Sequence, residues 1–257
     1  MRTRTTFAAV VVTAALLVAC GDDDSSGDDT TTTGAAATTT SEAATTTSTD
    51  VAVTTSTTVE ETSTTEAAAL EQPAIWPAID VVFATPEEAA NDFVEKVLGV
   101  PAVLSEYMAG DSRSGEMIVY SPGEGDAATP IARGLLALRQ LGPADGWFVI
   151  AAMNEFASIE SPESMAEVPA GSLTVEGVGR GFEANIVVTA FIAGDYGTIL
   201  DQQITMGGAM ETAEPFSVTL DLSGAAPGDV VVLLVRGGVG LETDPGEFGA
   251  IPVVIAA

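Results

Sequence analysis

The sequence of 257 residues contains no histidine, a single cysteine and few aromatic side chains. Without histidine, the chain has no Ser-His-Asp or Cys-His catalytic group and no imidazole ligand for a metal ion. The single cysteine, Cys20, has no partner for a disulfide within the chain. We therefore expect no catalytic residue, no metal site and no cofactor, and we expect that the protein is not an enzyme.

Basic side chains are scarce as well, because eight lysine and arginine residues stand against 37 aspartate and glutamate residues. Two of the eight, Arg2 and Arg4, precede Cys20, and without them the net charge is −31. The other six are isolated from one another along the chain: Lys96, Arg113, Arg133, Arg139, Arg180 and Arg236. A surface of this charge repels nucleic acid phosphates and anionic lipid headgroups, so we expect no nucleic acid partner.

The first twenty residues have the pattern of an export signal. Two arginines precede an apolar run from Phe7 to Leu17, and the run closes on Leu17-Val18-Ala19-Cys20. With about ten residues, the run is too short for a spanning helix. The closing tetrad resembles the lipobox of bacterial lipoproteins, whose cysteine becomes the lipidated N-terminus. The resemblance implies a signal peptide at 1–19, a palmitate-type lipid anchor on Cys20 and a place on the extracellular face of the cytoplasmic membrane. The alternative is an ordinary secretory signal with a chance cysteine near its cleavage site.

Residues 20–72 are rich in threonine and acidic residues. Between residues 21 and 69 the chain has 18 threonines and 10 acidic residues, with no lysine, arginine, proline or aromatic residue. Such a segment has too little apolar surface to offset the conformational entropy that folding removes. We predict a disordered tether over 20–72 that holds the folded part away from the membrane.

Apolar residues become dense from Gln72-Pro73 onward, and the pattern predicts a small α+β domain over 73–155. Thr85-Pro86-Glu87-Glu88 predicts a helix start with a capping box, and the helix should run to about Leu98 and stop at Gly99. Extended runs follow at 116–121, 131–141 and 147–153, and a turn at 142–146 joins the last two as an antiparallel hairpin. The run 131–141 also suits a helix, although the turn and the run after it favour a strand.

Residues 156–257 carry short alternating runs separated by glycine, proline and aspartate. The clearest is Phe216–Leu222, where every second residue is apolar. A second long strand is predicted over 182–192, with others at 157–159, 173–178, 198–206, 229–236 and 251–255. These runs, with no strong helix pattern between them, predict an all-β two-sheet sandwich.

Six short motifs follow one another through this part of the chain: Ser161-Pro162, Gly177, Phe182-Glu183-Ala184, Gly207-Gly208, Pro215-Phe216 and Ile251-Pro252-Val253. In order and spacing over residues 159–256 they resemble the immunoglobulin-like domain of bacterial spore germination. The chain departs from that family at Gly237-Gly238-Val239-Gly240, near the last hairpin. The resemblance implies an immunoglobulin-like fold in an exported protein, and such modules bind through their loops or an exposed edge.

Together these observations predict a non-enzymatic, lipid-anchored cell-envelope protein that presents an immunoglobulin-like binding or adaptor module. Its expected partners are the membrane, through Cys20, and an envelope protein or glycan. A passive ligand carrier is a further possibility, and it requires an apolar pocket.

The alternative from another class is a carboxylate-dependent glycan hydrolase with its site in the α+β domain. In its order of elements, that domain is similar to the cone-shaped domains of the cystatin-like and nuclear-transport-factor superfamily, whose cavity can hold a catalytic carboxylate. Two carboxylates about 5–10 Å apart in the cavity favour this function, whereas an interior filled by apolar side chains contradicts it. The sequence singles out no pair among Asp111, Glu116, Glu155 and Glu160.

Overall fold

The computed structural model describes residues 70–123, 129–209 and 211–257, which all belong to one compact unit spanning Glu61–Ala257. The expected signal peptide, Cys20 and the expected tether as far as residue 69 lie outside the described residues. The described part is mostly β-structure with one short helix, α1 (Pro86–Phe93), which a π-helical turn extends over Val94–Leu98. Neither of its helical segments has the length and hydropathy required to cross a membrane.

The described residues also form twelve strands. In chain order they are β1 (Met108–Ala109), β2 (Ser114–Ser121), β3 (Ile131–Leu141), β4 (Gly146–Met153), β5 (Ala157–Ser161), β6 (Glu167–Val168), β7 (Ser172–Gly179), β8 (Asn185–Ile192), β9 (Asp195–Met206), β10 (Glu214–Asp221), β11 (Val230–Gly237) and β12 (Phe248–Ile255). The first four precede residue 156, and the other eight follow it.

The helix begins and ends where the sequence predicts. The hydroxyl of Thr85 accepts a hydrogen bond from the Glu88 N–H, and the Glu88 carboxylate accepts one from the Thr85 N–H, both at 3.3 Å. This capping box supplies acceptors for two backbone N–H groups that have no hydrogen-bond partner within the helix. The helical structure stops before Gly99, whose left-handed backbone (φ 71°) suits glycine.

The strands form one large and one small sheet. The large sheet has the order β1-β2-β3-β4-β12-β11-β8-β9, with β6 parallel to β12, and the small sheet has the order β10-β7-β5. The meander β2-β3-β4 is antiparallel, which confirms that residues 131–141 form a strand rather than a helix. One registered pair, Ala152 with Ala250, joins β4 to β12 and makes the large sheet continuous.

The central strand β11 is buried on both faces. Val231, Leu233 and Val235 pack in a core with residues of the small sheet. Val232 and Leu234 point the other way and pack in a second core with residues of α1 and the meander. A strand covered on both sides needs an uninterrupted apolar run instead of an alternating one. The helix, the large sheet and the small sheet are therefore successive layers.

The sandwich expected over 156–257 is present, because β5, β7 and β10 face β8, β11 and β12 across one core. The expected α+β part is found in its elements, one helix and an antiparallel meander. The meander does not form a sheet of its own, however, since it is part of the large sheet, which also contains β8, β11 and β12 of the sandwich. The division at residue 155/156 stays a prediction from the sequence.

One expected strand is wrong at its start. The alternating pattern predicts a strand from Phe182, but β8 begins at Asn185, and Phe182–Ala184 form a 3-10 turn. Glu183 and Ala184 have left-handed backbones, with φ values of 55° and 61°, which ends the alternation. As a result the side chain of Phe182 is 59% exposed instead of lying in the core. The sequence pattern also did not predict the two-residue strands β1 and β6.

Candidate functional site

Three connections meet at one end of the sandwich: the β7–β8 connection (180–184), the β9–β10 loop (207–213, described except for residue 210) and the β11–β12 loop (238–247). We call these residues the loop cluster. The Gly181 N–H donates to the Gly208 carbonyl (3.0 Å), and the Phe182 N–H donates to the Gly238 carbonyl (2.8 Å). A Cβ on Gly181 would collide with the backbones of Asn185 and Gly238, so the close approach requires glycine there. The three connections are thus fixed against one another.

The first of these connections differs from the sequence-based prediction. The glycine-rich stretch Gly177–Gly181 suggests a hairpin turn between neighbouring strands. In the structure β7 belongs to the small sheet and β8 to the large one, so the chain crosses between sheets at this point. The crossing places Arg180 and Phe182 at the end of the sandwich instead of at a sheet edge.

The loop cluster surrounds a cleft of about 490 Å³. Among its lining residues, Asp244 and Glu247 are buried, whereas Phe182 and Val239 are exposed. Arg133 and Arg180 also line the cleft, and each is in contact with one of the buried carboxylates. The cleft therefore has a charged floor, and its mouth carries the apolar side chains of Phe182 and Val239.

Two bidentate ion pairs form the floor. Arg133 donates from Nε and Nη2 to the two carboxylate oxygens of Asp244, at 3.0 and 2.6 Å. Arg180 donates from Nε to Glu247 Oε2 at 2.6 Å and from Nη2 to Oε1. Glu247 Oε1 also lies 3.7 Å from Arg133 Nη1, which connects the two pairs. Planar two-point pairing holds each guanidinium in one orientation, and the four charges cancel.

Neighbouring groups fix the arginines further. The guanidinium carbon of Arg180 lies 3.5 Å from the centroid of the Phe156 ring, and the hydrogen bonds that Arg180 donates to Glu247 raise the pKa of Arg180. Arg236 donates to the carbonyls of Pro245 (2.6 Å) and Leu98 (2.9 Å), while burial lowers its pKa. Because Leu98 ends the helical segment, Arg236 joins the β11–β12 loop to the negative end of that segment.

The sequence did not predict this cluster of charges. Arg133, Arg180 and Arg236 are far apart along the chain, but the fold brings all three to one end of the sandwich. Their carboxylate partners lie in the β11–β12 loop. The glycine-rich stretches next to Arg180 and Arg236 were the one indication in the sequence that these connections lie close together, because glycine allows close approach of two backbones.

The carboxylates named for a hydrolase are all exposed and do not line the interior of the α+β part. Asp111 accepts hydrogen bonds from the Arg113 N–H (2.8 Å) and the Ser114 hydroxyl (2.9 Å), and these lower its pKa. Glu116, Glu155 and Glu160 are exposed at separate positions of the chain. The interior between α1 and the meander is filled by apolar side chains, which include Phe93, Val97, Met117, Leu136 and Val149. An interior filled by apolar side chains argues against a hydrolase site in the α+β part.

The floor of the cleft is expected to matter for stability. Replacing Arg180 by Met removes both hydrogen bonds from the buried Glu247 carboxylate and leaves Arg133 Nη1, at 3.7 Å, as its cationic partner, so we expect the free energy of unfolding to fall by about 3 kcal/mol. The matched control is Arg113→Met, because the pair of Arg113 with Asp145 is exposed and should contribute about 1 kcal/mol or less. Urea unfolding of the full chain measures both values. An Arg180→Met loss no larger than that of Arg113→Met would contradict the buried-pair interpretation.

Part of the chain matches a known protein family. Residues 156–236 match the family described as the immunoglobulin-like domain of bacterial spore germination. Comparisons with curated proteins and with solved structures find no match. The family match ends just before Gly237–Gly240, where the sequence departs from the family pattern, so Arg133, Asp244 and Glu247 lie outside the matched residues. Residues 156–236 are therefore similar to the immunoglobulin-like domain of bacterial spore germination.

Proposed function

We propose that this protein is a non-enzymatic, lipid-anchored component of the cell envelope that presents its immunoglobulin-like domain as a binding module outside the cytoplasmic membrane. The loop cluster is the binding surface. The observation that carries this proposal is the exposed Phe182, which is held at the mouth of the cleft by a fixed backbone.

The backbone around Phe182 supports a binding role. Two consecutive non-glycine residues with positive φ, Glu183 and Ala184, are strained and persist only where the surrounding structure enforces them. The Phe182 N–H is bonded to the Gly238 carbonyl, so the turn cannot relax without disrupting the β11–β12 loop. A large apolar side chain on such a backbone loses little conformational entropy when a partner covers it.

The charged floor supports binding rather than catalysis. Both carboxylate oxygens of Asp244 and of Glu247 accept hydrogen bonds from a guanidinium. A general acid or base must exchange a proton with the substrate or with a water molecule. Carboxylates whose oxygens are occupied by arginine are poorly suited to that task, and here they shape the cleft instead.

The N-terminal part of the chain supplies the proposed location. We infer that a signal peptide of residues 1–19 is removed, that Cys20 carries the lipid, and that residues 20–72 form a disordered acidic tether. The folded part then comprises the α+β portion, 73–155, and the sandwich, 156–257. With a net charge of −31 after processing, the chain is repelled by anionic headgroups, and the acyl chains alone hold the protein at the membrane.

Lipidation is tested by growing the cells with an alkyne-tagged palmitate analogue. We expect the wild-type chain to incorporate the label and the Cys20→Ser chain to incorporate none, because only the Cys20 thiol can carry the acyl-glycerol. Gel fluorescence after coupling to a dye measures the label, and an antibody against the chain confirms equal amounts. Equal labelling of both chains, or of neither, would contradict the anchor.

Binding through the loop cluster is tested by capture of envelope components. The full chain is purified in a detergent without a sugar headgroup, immobilised, and incubated with solubilised envelope. We expect Phe182→Ala to reduce the amount of each specifically captured component about tenfold, equivalent to about 1.4 kcal/mol. Ile204→Ala is the matched control, since Ile204 is 71% exposed on β9 but does not line the cleft. Equal capture by the wild-type and Phe182→Ala chains would overturn the proposed surface.

A further inference from the structure

The floor of the cleft offers hydrogen-bond donors. Arg133 and Arg180 use Nε and Nη2 for their carboxylates, whereas neither Nη1 makes a hydrogen bond within the described residues. The nearest acid to Arg133 Nη1 is Glu247 at 3.7 Å, beyond hydrogen-bond distance. The two side chains line the cleft and are 21% and 19% exposed. Their Nη1 groups are therefore available to an oxygen of a ligand.

The charges around the cleft select against anions. The two arginines of the floor are neutralised by Asp244 and Glu247. Glu183 also lines the cleft, and Glu155 and Glu211 are close enough to raise the pKa of Arg180. A phosphate, sulfate or carboxylate ligand would approach several uncompensated acids, in a protein that is strongly negative overall. The Nη1 donors of the floor and the surrounding acids favour a ligand that has no negative charge and carries oxygen atoms that accept hydrogen bonds.

The mouth of the cleft adds an aromatic face. The ring of Phe182 carries partial negative charge on its faces, which attracts the positive C–H groups of another molecule. A cleft of about 490 Å³ is in the size range that holds small ligands. A protein partner requires a broader surface, on the order of 800 Å² on each side.

One class of ligand meets all three conditions, because a pyranose ring has an apolar C–H face, hydroxyl groups and no charge. Resting on the proposed binding function, we infer that the cleft between Phe182 and the Arg133–Arg180 floor binds an uncharged sugar unit of an envelope glycan. The ring of Phe182 stacks on the C–H face of the sugar, while the two Nη1 groups donate to its hydroxyl oxygens.

The test uses the full chain in a detergent without a sugar headgroup and a panel of neutral disaccharides: cellobiose, maltose and N,N′-diacetylchitobiose. Isothermal titration and saturation-transfer NMR measure binding. We expect at least one of them to bind, and we expect an analogue with a hexuronic acid to bind about tenfold more weakly or not at all, which corresponds to about 1.4 kcal/mol or more. Longer oligomers of the bound sugar distinguish a polymeric glycan from a free sugar as the ligand. The affinity for a polymeric ligand rises with oligomer length, whereas the affinity for a free sugar does not.

Variants of the exposed Phe182 test the role of the ring without disturbing the core. Phe182→Trp should retain or strengthen sugar binding, because its aromatic face is larger. Phe182→Leu keeps an apolar side chain but no aromatic face, and it should weaken binding about tenfold. Ile204→Ala should leave binding unchanged, and thermal unfolding confirms that each variant is folded.

The outcomes separate this inference from the proposed function. Sugar binding that depends on the ring of Phe182 supports both. If no neutral sugar binds at millimolar concentration while capture of an envelope component still depends on Phe182, the inference of a glycan ligand is wrong. The loop cluster then remains the proposed binding surface. If neither the sugar nor the captured component depends on Phe182, both proposals fail. Equal binding by Phe182→Leu and wild type would overturn the stacking role.

Discussion

Two-sided burial of β11 is the constraint on which the rest of the described structure depends. One face of the strand packs on the small sheet, and the other packs on the core that contains α1. Removing either layer would expose a row of valine and leucine side chains to water, at about 25 cal/mol for each Å² of apolar surface. The helix and meander therefore serve as the second cover of the sandwich, although sequence composition suggests a separate small domain.

The loop cluster depends on the same layers. Arg133 extends from β3 of the meander to Asp244 in the β11–β12 loop, while Arg236 extends from β11 to the carbonyl of Leu98 at the end of the helical segment. The floor of the cleft is thus built from both parts of the chain. The β7–β8 connection, with Arg180 and Phe182, and the β9–β10 loop lie within the residues that match the immunoglobulin-like family, whereas Arg133 and the β11–β12 loop lie outside them. The cleft is consequently a property of this chain more than of the family domain.

Features set by neighbouring residues were predictable from the sequence. The capping box of Thr85 and Glu88 involves residues three apart, and the alternation from Phe216 to Leu220 directly reports a strand with one buried face. The six consecutive apolar residues Val230–Val235 carried a further signal, since an unbroken run indicates a strand covered on both sides. A two-sheet sandwich accounts for only one covered face of this strand, so that prediction did not include the layer that contains α1.

The candidate site was not predictable in the same way. Phe182 continues an apparent alternation, and no local rule places the non-glycine residues Glu183 and Ala184 in left-handed conformations. Likewise, the pairs of Arg133 with Asp244 and of Arg180 with Glu247 join residues more than sixty positions apart. Such contacts follow from the crossing between sheets and from the close approach of glycine-rich backbones, which only the folded chain shows.

Because β11 is covered on both faces, the helix, the meander and the sandwich should unfold as one cooperative structure. The most direct measurement is equilibrium unfolding of the full chain in urea, followed by two local signals. Trp76 and Trp147, the two tryptophans of the chain, are buried in the core that contains α1, whereas hydrogen exchange at the amides of β7 and β10 reports the small sheet. Coincident midpoints for the two signals are predicted. Well-separated midpoints, with the small sheet persisting after the tryptophans are exposed, would contradict cooperative unfolding of the helix, the meander and the sandwich.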